Sequence, residues 1–133
     1  MDFEALRSLI DADLADFYVL QPNHGLAPGL PSVHDISGDL ADFADTAGAL
    51  AQLDLLITVD TAVANLAGAM GKPFWVLLDV GPDWRWGLKG DASPWYPTAR
   101  LFRQADAFDW SPVIEEVIDA LREWVSAEGF AAD

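Results

Sequence analysis

The order of hydrophobic and polar positions along the chain predicts alternating helices and strands. Apolar residues recur with helical spacing over residues 3–11, which predicts a first helix. Aromatic and β-branched residues then predict strands at 16–20 and 32–36. Between these strands, residues 21–31 contain three prolines and two glycines, a composition typical of a loop.

The centre of the chain has the clearest pattern. Asp54–Val59 is an almost continuous apolar run, as expected for a strand covered on both faces. Asp60 and Thr61 open a helix of small residues over Ala62–Met70, and Phe74–Leu78 forms a second apolar run. A strand, a helix and a strand in this order predict a βαβ unit and therefore a parallel sheet.

The flanking segments complete an α/β pattern. Asp45 or Thr46 caps a helix that runs to about Leu53, a strand covers Arg100–Gln104, and an amphipathic helix has Pro112 at its first position. We therefore predict an α/β fold, namely a three-layer Rossmann-like sandwich around a mostly parallel sheet of about five strands. The 133 residues suit a single domain.

Charge and composition exclude several functions. The net charge of -15 repels nucleic-acid phosphates and anionic membrane surfaces, so neither is an expected partner. The chain has no cysteine, which excludes disulfides and thiolate metal sites. The amino-terminal residues are acidic and no apolar run is long enough to span a membrane, so we predict no membrane insertion and a cytoplasmic location.

The turn after Val59 is a candidate anion site. Ligands of open α/β sheets bind at the carboxyl ends of the strands, where helix N-termini offer unpaired N–H groups. Asp60 and Thr61 lie at such a position, before a helix whose small residues allow close approach. The alternative is that either residue only caps the helix.

The loop Gly81–Pro97 is a second candidate. It combines several aromatic rings with charged groups, and long loops without secondary structure are often functional. Flat rings beside charges suit a sugar or a nucleobase, and Arg85 could pair with a phosphate. The alternative is that the tryptophans pack inward under the loop, and the two arrangements can coexist.

Other common site patterns are missing from the sequence. His24 and His34 lack a second histidine at metal-ligand spacing, so we predict no metal site. No glycine-rich phosphate loop follows the first predicted strand, and Ser93 lacks the context of a hydrolase nucleophile. We predict no bound cofactor and no catalytic residue in this chain.

The segment DFADTAGALAQLDLLITVDTAVANLAGAMGKPFWVLL, followed by PDWRWGLKGDASPWYPTARLFRQ, resembles the C-terminal end of family 9 glycosyltransferases. The similarity is greatest to a bacterial branch that is related to heptosyltransferases and often fused to tetratricopeptide repeats. It covers roughly residues 39–125. The resemblance implies the C-terminal lobe of a GT-B fold, which binds a nucleotide-diphosphate sugar without a metal.

The resemblance also implies a set of donor-binding residues. In the family, a D-T-x-x-x-H motif after the central strand lies against the donor's diphosphate. Asn65 stands where this motif usually has histidine, and an amide can donate a hydrogen bond but cannot carry charge. The implied residues are Asp60, Thr61, Ala62 and Asn65 after the central strand, Asp42, Asp45 and Thr46 before it, and Asp83, Trp84, Arg85 and Trp86 in the long loop.

Two features of such enzymes are absent from the sequence: the N-terminal lobe and the first strand of the C-terminal lobe. We therefore expect the chain to be incomplete or inactive alone, with a partner chain supplying the lobe or another copy completing the sheet. Either Phe17–Leu20 pairs directly with Leu55–Val59, or these open edges pair between copies. The alternative function is a non-catalytic interaction or self-associating domain that kept the fold and lost the site.

Overall fold

A computed structural model of the chain describes residues 6–21, 32–59, 61–80, 86, 90–93, 96–107 and 109–128. In chain order the elements are α1 (Arg7–Asp11), β1 (Phe17–Val19), β2 (Val33–Asp35), α2 (Phe43–Gln52), β3 (Leu56–Val59), α3 (Ala62–Ala69), β4 (Phe74–Leu78), β5 (Ala99–Arg103) and α4 (Ser111–Ala127), with a 3₁₀ turn at Ser37–Asp39. Two compact units result. One contains residues 1–39 and 110–133, and the other contains residues 40–109.

The first unit combines a small parallel sheet with two packed helices. β1 and β2 are parallel, with Phe17 opposite Val33. α1 packs on α4. Helical spacing places the apolar residues of α4 on one stripe, and this stripe is buried. The buried side chains of the two helices are Leu9, Ile10, Val113, Ile114, Val117, Ala120 and Leu121.

The second unit contains a three-stranded parallel sheet in the order β3-β4-β5. Leu56 lies opposite Phe74, and Phe74 lies opposite Ala99. The central strand β4 is buried along its whole length, which explains its uninterrupted apolar sequence. The predicted βαβ unit is therefore confirmed as β3-α3-β4.

Helix α3 packs on β3 and β4, and α2 packs on α3. The inward positions of α3 are Ala64 and Ala67, both fully buried. Alanine at these positions lets the helix backbone approach the sheet closely, and Gly71 ends the helix with a φ of 68°. The small-residue sequence of α3 is thus a packing requirement of this unit.

The structure corrects the predicted single sheet of five strands. The described residues do form five parallel strands, but in two separate ladders of two and three strands. β1 pairs with β2, and no hydrogen-bonded ladder in the described residues joins β1 to β3. The hydrophobic pattern identifies strands locally, whereas their pairing depends on contacts between distant parts of the chain. The predicted α/β class is therefore confirmed, and the predicted five-stranded sheet is wrong.

Two further observations concern the helices. α2 begins at Phe43 and is capped by Asp42, so it starts earlier than the predicted Asp45 or Thr46. Among the described helices, none combines the length and the apolar character that crossing a membrane requires.

Candidate functional site

The carboxyl ends of β3, β4 and β5 lie together at one end of the second unit's sheet, because the three strands are parallel. α3 connects β3 to β4 and therefore begins at this end of the sheet. Only residues 53–55 separate the end of α2 from the start of β3, which places the C-terminal end of α2 near the opposite end of the sheet. The start of α3 thus occupies the position where α/β sheets commonly bind ligands.

Thr61 is the N-cap of α3, as the sequence allowed. Its Oγ1 accepts a hydrogen bond from the amide of Ala64 at 3.4 Å. The same Oγ1 lies 3.1 Å from Oγ1 of Thr58 on β3. The two hydroxyls link the end of the strand to the start of the helix. Asp60, which precedes Thr61, lies outside the described residues.

The first turn of α3 offers free donors. In the described part of the chain, the amides of Ala62 and Val63 have no hydrogen-bond acceptor, as is usual for the first turn of a helix. Together with the positive end of the helix dipole, these two N–H groups form an environment that favours an anion.

Asn65 lies one turn into α3 and is held at both ends of its carboxamide. Its Nδ2 donates to the carbonyl of Thr61 at 3.4 Å, and its Oδ1 accepts from the hydroxyl of Tyr96 at 3.2 Å. Asn65 therefore contacts the loop that precedes β5. The sequence did not reveal this partner, since Tyr96 had no spacing relationship to Asn65.

Asp42, Asp45 and Thr46 form the start of α2. Oδ1 of Asp42 accepts from the amide of Asp45, and Oδ2 of Asp45 accepts from the amide of Ala41, each at 2.9 Å. The arrangement resembles a capping box, except that Asp45 accepts from the residue before the N-cap and not from the N-cap itself. Oγ1 of Thr46 donates to the carbonyl of Asp42 at 3.2 Å. All three side chains thus have a structural role in the helix, and both carboxylates are exposed.

Trp86 is fully buried and belongs to an aromatic cluster. Its ring centroid lies 6.5 Å from Phe74 and 6.0 Å from Tyr96, and Phe74 and Tyr96 are 5.9 Å apart. Trp86 therefore packs inward, as in the alternative that the sequence analysis gave for the loop tryptophans. Asp83, Trp84 and Arg85 lie outside the described residues.

The described parts of the long loop are attached to β5. Arg103 donates from Nη2 to the carbonyl of Trp86 at 2.6 Å and from Nε to the carbonyl of Gly90 at 2.7 Å. The amide of Leu101 donates to the carbonyl of Asp91 at 2.9 Å. Arg103 therefore fixes the backbone immediately after Arg85 in the sequence. The polar–apolar alternation of Arg100–Gln104 predicted a strand but not this contact.

Within the described residues, several buried polar atoms have no hydrogen-bond partner. They are Nε1 of Trp86, Oγ1 of Thr98, and both Nε2 and Oε1 of Gln104. Gln104 is only 5% exposed and directly follows β5. Buried polar groups are nearly always paired. Because substitution of these unpaired groups by apolar groups breaks no hydrogen bond, it should cost little folding free energy. Among the described residues, no group of three or more His, Asp or Glu side chains converges as metal ligands would.

Comparison with known proteins gives a limited match. Protein FlbA of Caulobacter vibrioides is 36% identical to the chain over 87 residues. The aligned region makes up 65% of this chain and 14% of FlbA, so the chain spans a small part of that relative's length. No protein-family model matches the sequence. No solved structure matches it either.

Proposed function

We propose that the chain is the nucleotide-sugar binding lobe of a family 9-like glycosyltransferase and that it is not catalytic alone. The diphosphate of the donor would lie at the start of α3. The amides of Ala62 and Val63 would donate to its oxygens, with the hydroxyl of Thr61 beside them. Arg85 and the neighbouring Asp83 and Trp84 would contribute from the loop.

The observation that carries this proposal is the pair of amides at the start of α3, those of Ala62 and Val63, which have no acceptor among the described residues. They lie at the carboxyl end of the strands of a parallel sheet, directly after the cap residue Thr61. Backbone donors at a helix N-terminus bind phosphate in many unrelated α/β proteins. Trp86 is buried and would support the loop from beneath instead of contacting the sugar.

The proposed lack of a catalytic role is supported by the side chain of Asn65. Asn65 cannot act as a base, and its carboxamide is already bonded to Thr61 and Tyr96. A general base must reach the proton that it removes.

A calorimetric titration with UDP, GDP, ADP and CDP tests the proposal. We expect saturable binding of at least one nucleotide, weakened tenfold or more by Thr61→Val. Thr98→Val is the matched control, because it removes a hydroxyl that is buried without a partner before β5. It should leave binding unchanged. Failure of all four nucleotides to bind the folded protein at millimolar concentration would contradict the proposal.

A second candidate function is a non-catalytic interaction domain. It is favoured by the double bonding of Asn65, which gives this residue a purely structural role, and by the net charge of -15, which opposes a phosphate ligand. Under this function, none of the nucleotides would bind, and Thr61→Val would lower only stability, by about 1 kcal/mol for loss of the cap. The titration and a urea unfolding curve of the same variant separate the two functions.

A further inference from the structure

The outer edge of β3 is free to accept another strand. β3 pairs with β4 on one side only, within the part of the chain that the structure describes. The amide of Leu56 donates to the carbonyl of Pro73 at 3.2 Å, so Leu56 bonds toward β4. Alternate residues of a strand bond to opposite sides, and Ile57 and Val59 therefore direct their N–H groups away from β4.

The opposite edge of the same sheet is covered. Besides the bond from Leu101 to Asp91, Ala92 forms an antiparallel bridge with Arg100. This is a usual way of protecting an edge strand from other chains. Arg100 also lies over the rings of Trp75 and Phe102, at 5.7 and 5.1 Å from their centroids. The charged and covered β5 edge thus contrasts with β3.

β3 carries none of these protective features. Its residues Ile57, Thr58 and Val59 are β-branched and partly exposed, and the strand contains no lysine and no proline. Such an edge pairs readily with an extended segment of another chain. The sequence analysis expected this edge to pair with Phe17–Leu20 or with another copy, and among the described strands β3 has the single neighbour β4.

The charge around β3 indicates what kind of segment fits. From the start of the second unit to the end of α3, residues 40–69, the sequence has four aspartates and no lysine or arginine. One of them, Asp54, is exposed and precedes β3 by two positions. A second copy of this chain would bring a further net charge of -15, which opposes pairing of two such edges. A segment with basic residues would be attracted.

We propose that the β3 edge binds an extended protein segment in which a short β-branched core is flanked by lysine or arginine. Main-chain hydrogen bonds to Ile57 and Val59 would supply the pairing, and Asp54 would attract the basic flank. This partner site is separate from the nucleotide proposal. It uses the strand edge and not the first turn of α3.

Three synthetic peptides test this inference on the full chain. The first is KKVTVVTKK, the second is EEVTVVTEE, and the third is KKVTPVTKK, which keeps the charge but lacks a central N–H group. Binding is measured by fluorescence anisotropy, and amide hydrogen exchange is measured residue by residue. We expect the first peptide to bind and to slow exchange at Ile57 and Val59 at least tenfold. Exchange at Thr58, already bonded to β4, should change much less.

Two charge variants test the role of Asp54. Asp54→Lys should weaken binding of the first peptide about three- to fivefold, as expected for an exposed ion pair. Asp91→Lys makes the same charge change at the covered β5 edge of the same unit and should have a smaller effect. Equal binding of the first and third peptides, or no protection of Ile57 and Val59, overturns the inference. Protection that grows with protein concentration, without peptide, also overturns it by identifying a second copy as the occupant.

Discussion

The hydroxyl of Tyr96 donates a hydrogen bond to Oδ1 of Asn65 across 3.2 Å, although the two residues are 31 positions apart. This bond joins the loop before β5 to the side of α3. Next to it, the ring of Tyr96 lies against Gly68, one turn further along the helix. The long loop is therefore attached to the helix as well as to β5.

Tyr96→Phe should lower the free energy of unfolding by about 0.5–1.5 kcal/mol, since it removes one partly buried hydrogen bond and keeps the ring. The measurement is the urea unfolding midpoint followed by tryptophan fluorescence. Tyr18→Phe is the matched control, because Tyr18 is 46% exposed and stacks on His34 through its ring. If both variants change stability equally, the bond to Asn65 contributes nothing specific.

Gly68→Ala should destabilise the protein by about 1–2 kcal/mol, because overpacking outweighs the better helix propensity of alanine. A methyl group at Gly68 would lie 2.5 Å from Cδ1 of Tyr96 and 2.6 Å from its Cγ. The ring is packed against Phe74 and Trp86 and has little room to move.

Gly48→Ala is the control for that substitution. Gly48 lies in α2, and a methyl group there meets nothing within 4 Å. This variant should therefore raise stability by up to about 1 kcal/mol. Thermal unfolding followed by circular dichroism compares the two variants directly. Stabilisation by both substitutions would show that Tyr96 does not press on α3.

Asp42→Ala should lower stability by about 1 kcal/mol through loss of the α2 cap, and Asp42→Asn should retain most of it. Asp39→Ala removes the same charge from the exposed 3₁₀ turn and should change stability little. The comparison is made by urea unfolding at constant ionic strength. A loss that is equal for Asp42→Ala and Asp39→Ala would assign the effect to charge and not to capping.

The candidate site was predictable only in part. The position of Thr61 followed from an apolar strand, a capping residue and a run of small residues, all within one short segment. The inward position of Trp86 and the bonding of Asn65 did not follow, because each depends on residues that are far away in the chain. The same holds for Arg103, whose sequence context showed an alternating strand and not the two carbonyls that it holds.

The sequence by itself determined the elements of this protein: which segments are strands, where α3 begins, and that β3, α3 and β4 form one parallel unit. These features depend on hydrophobic periodicity and capping, which act over a few residues. Only the tertiary structure decided that the five strands of the described residues form two ladders, in which β3 is an edge strand. Strand pairing is decided by long-range contacts, and each strand has two edges that the local pattern does not distinguish.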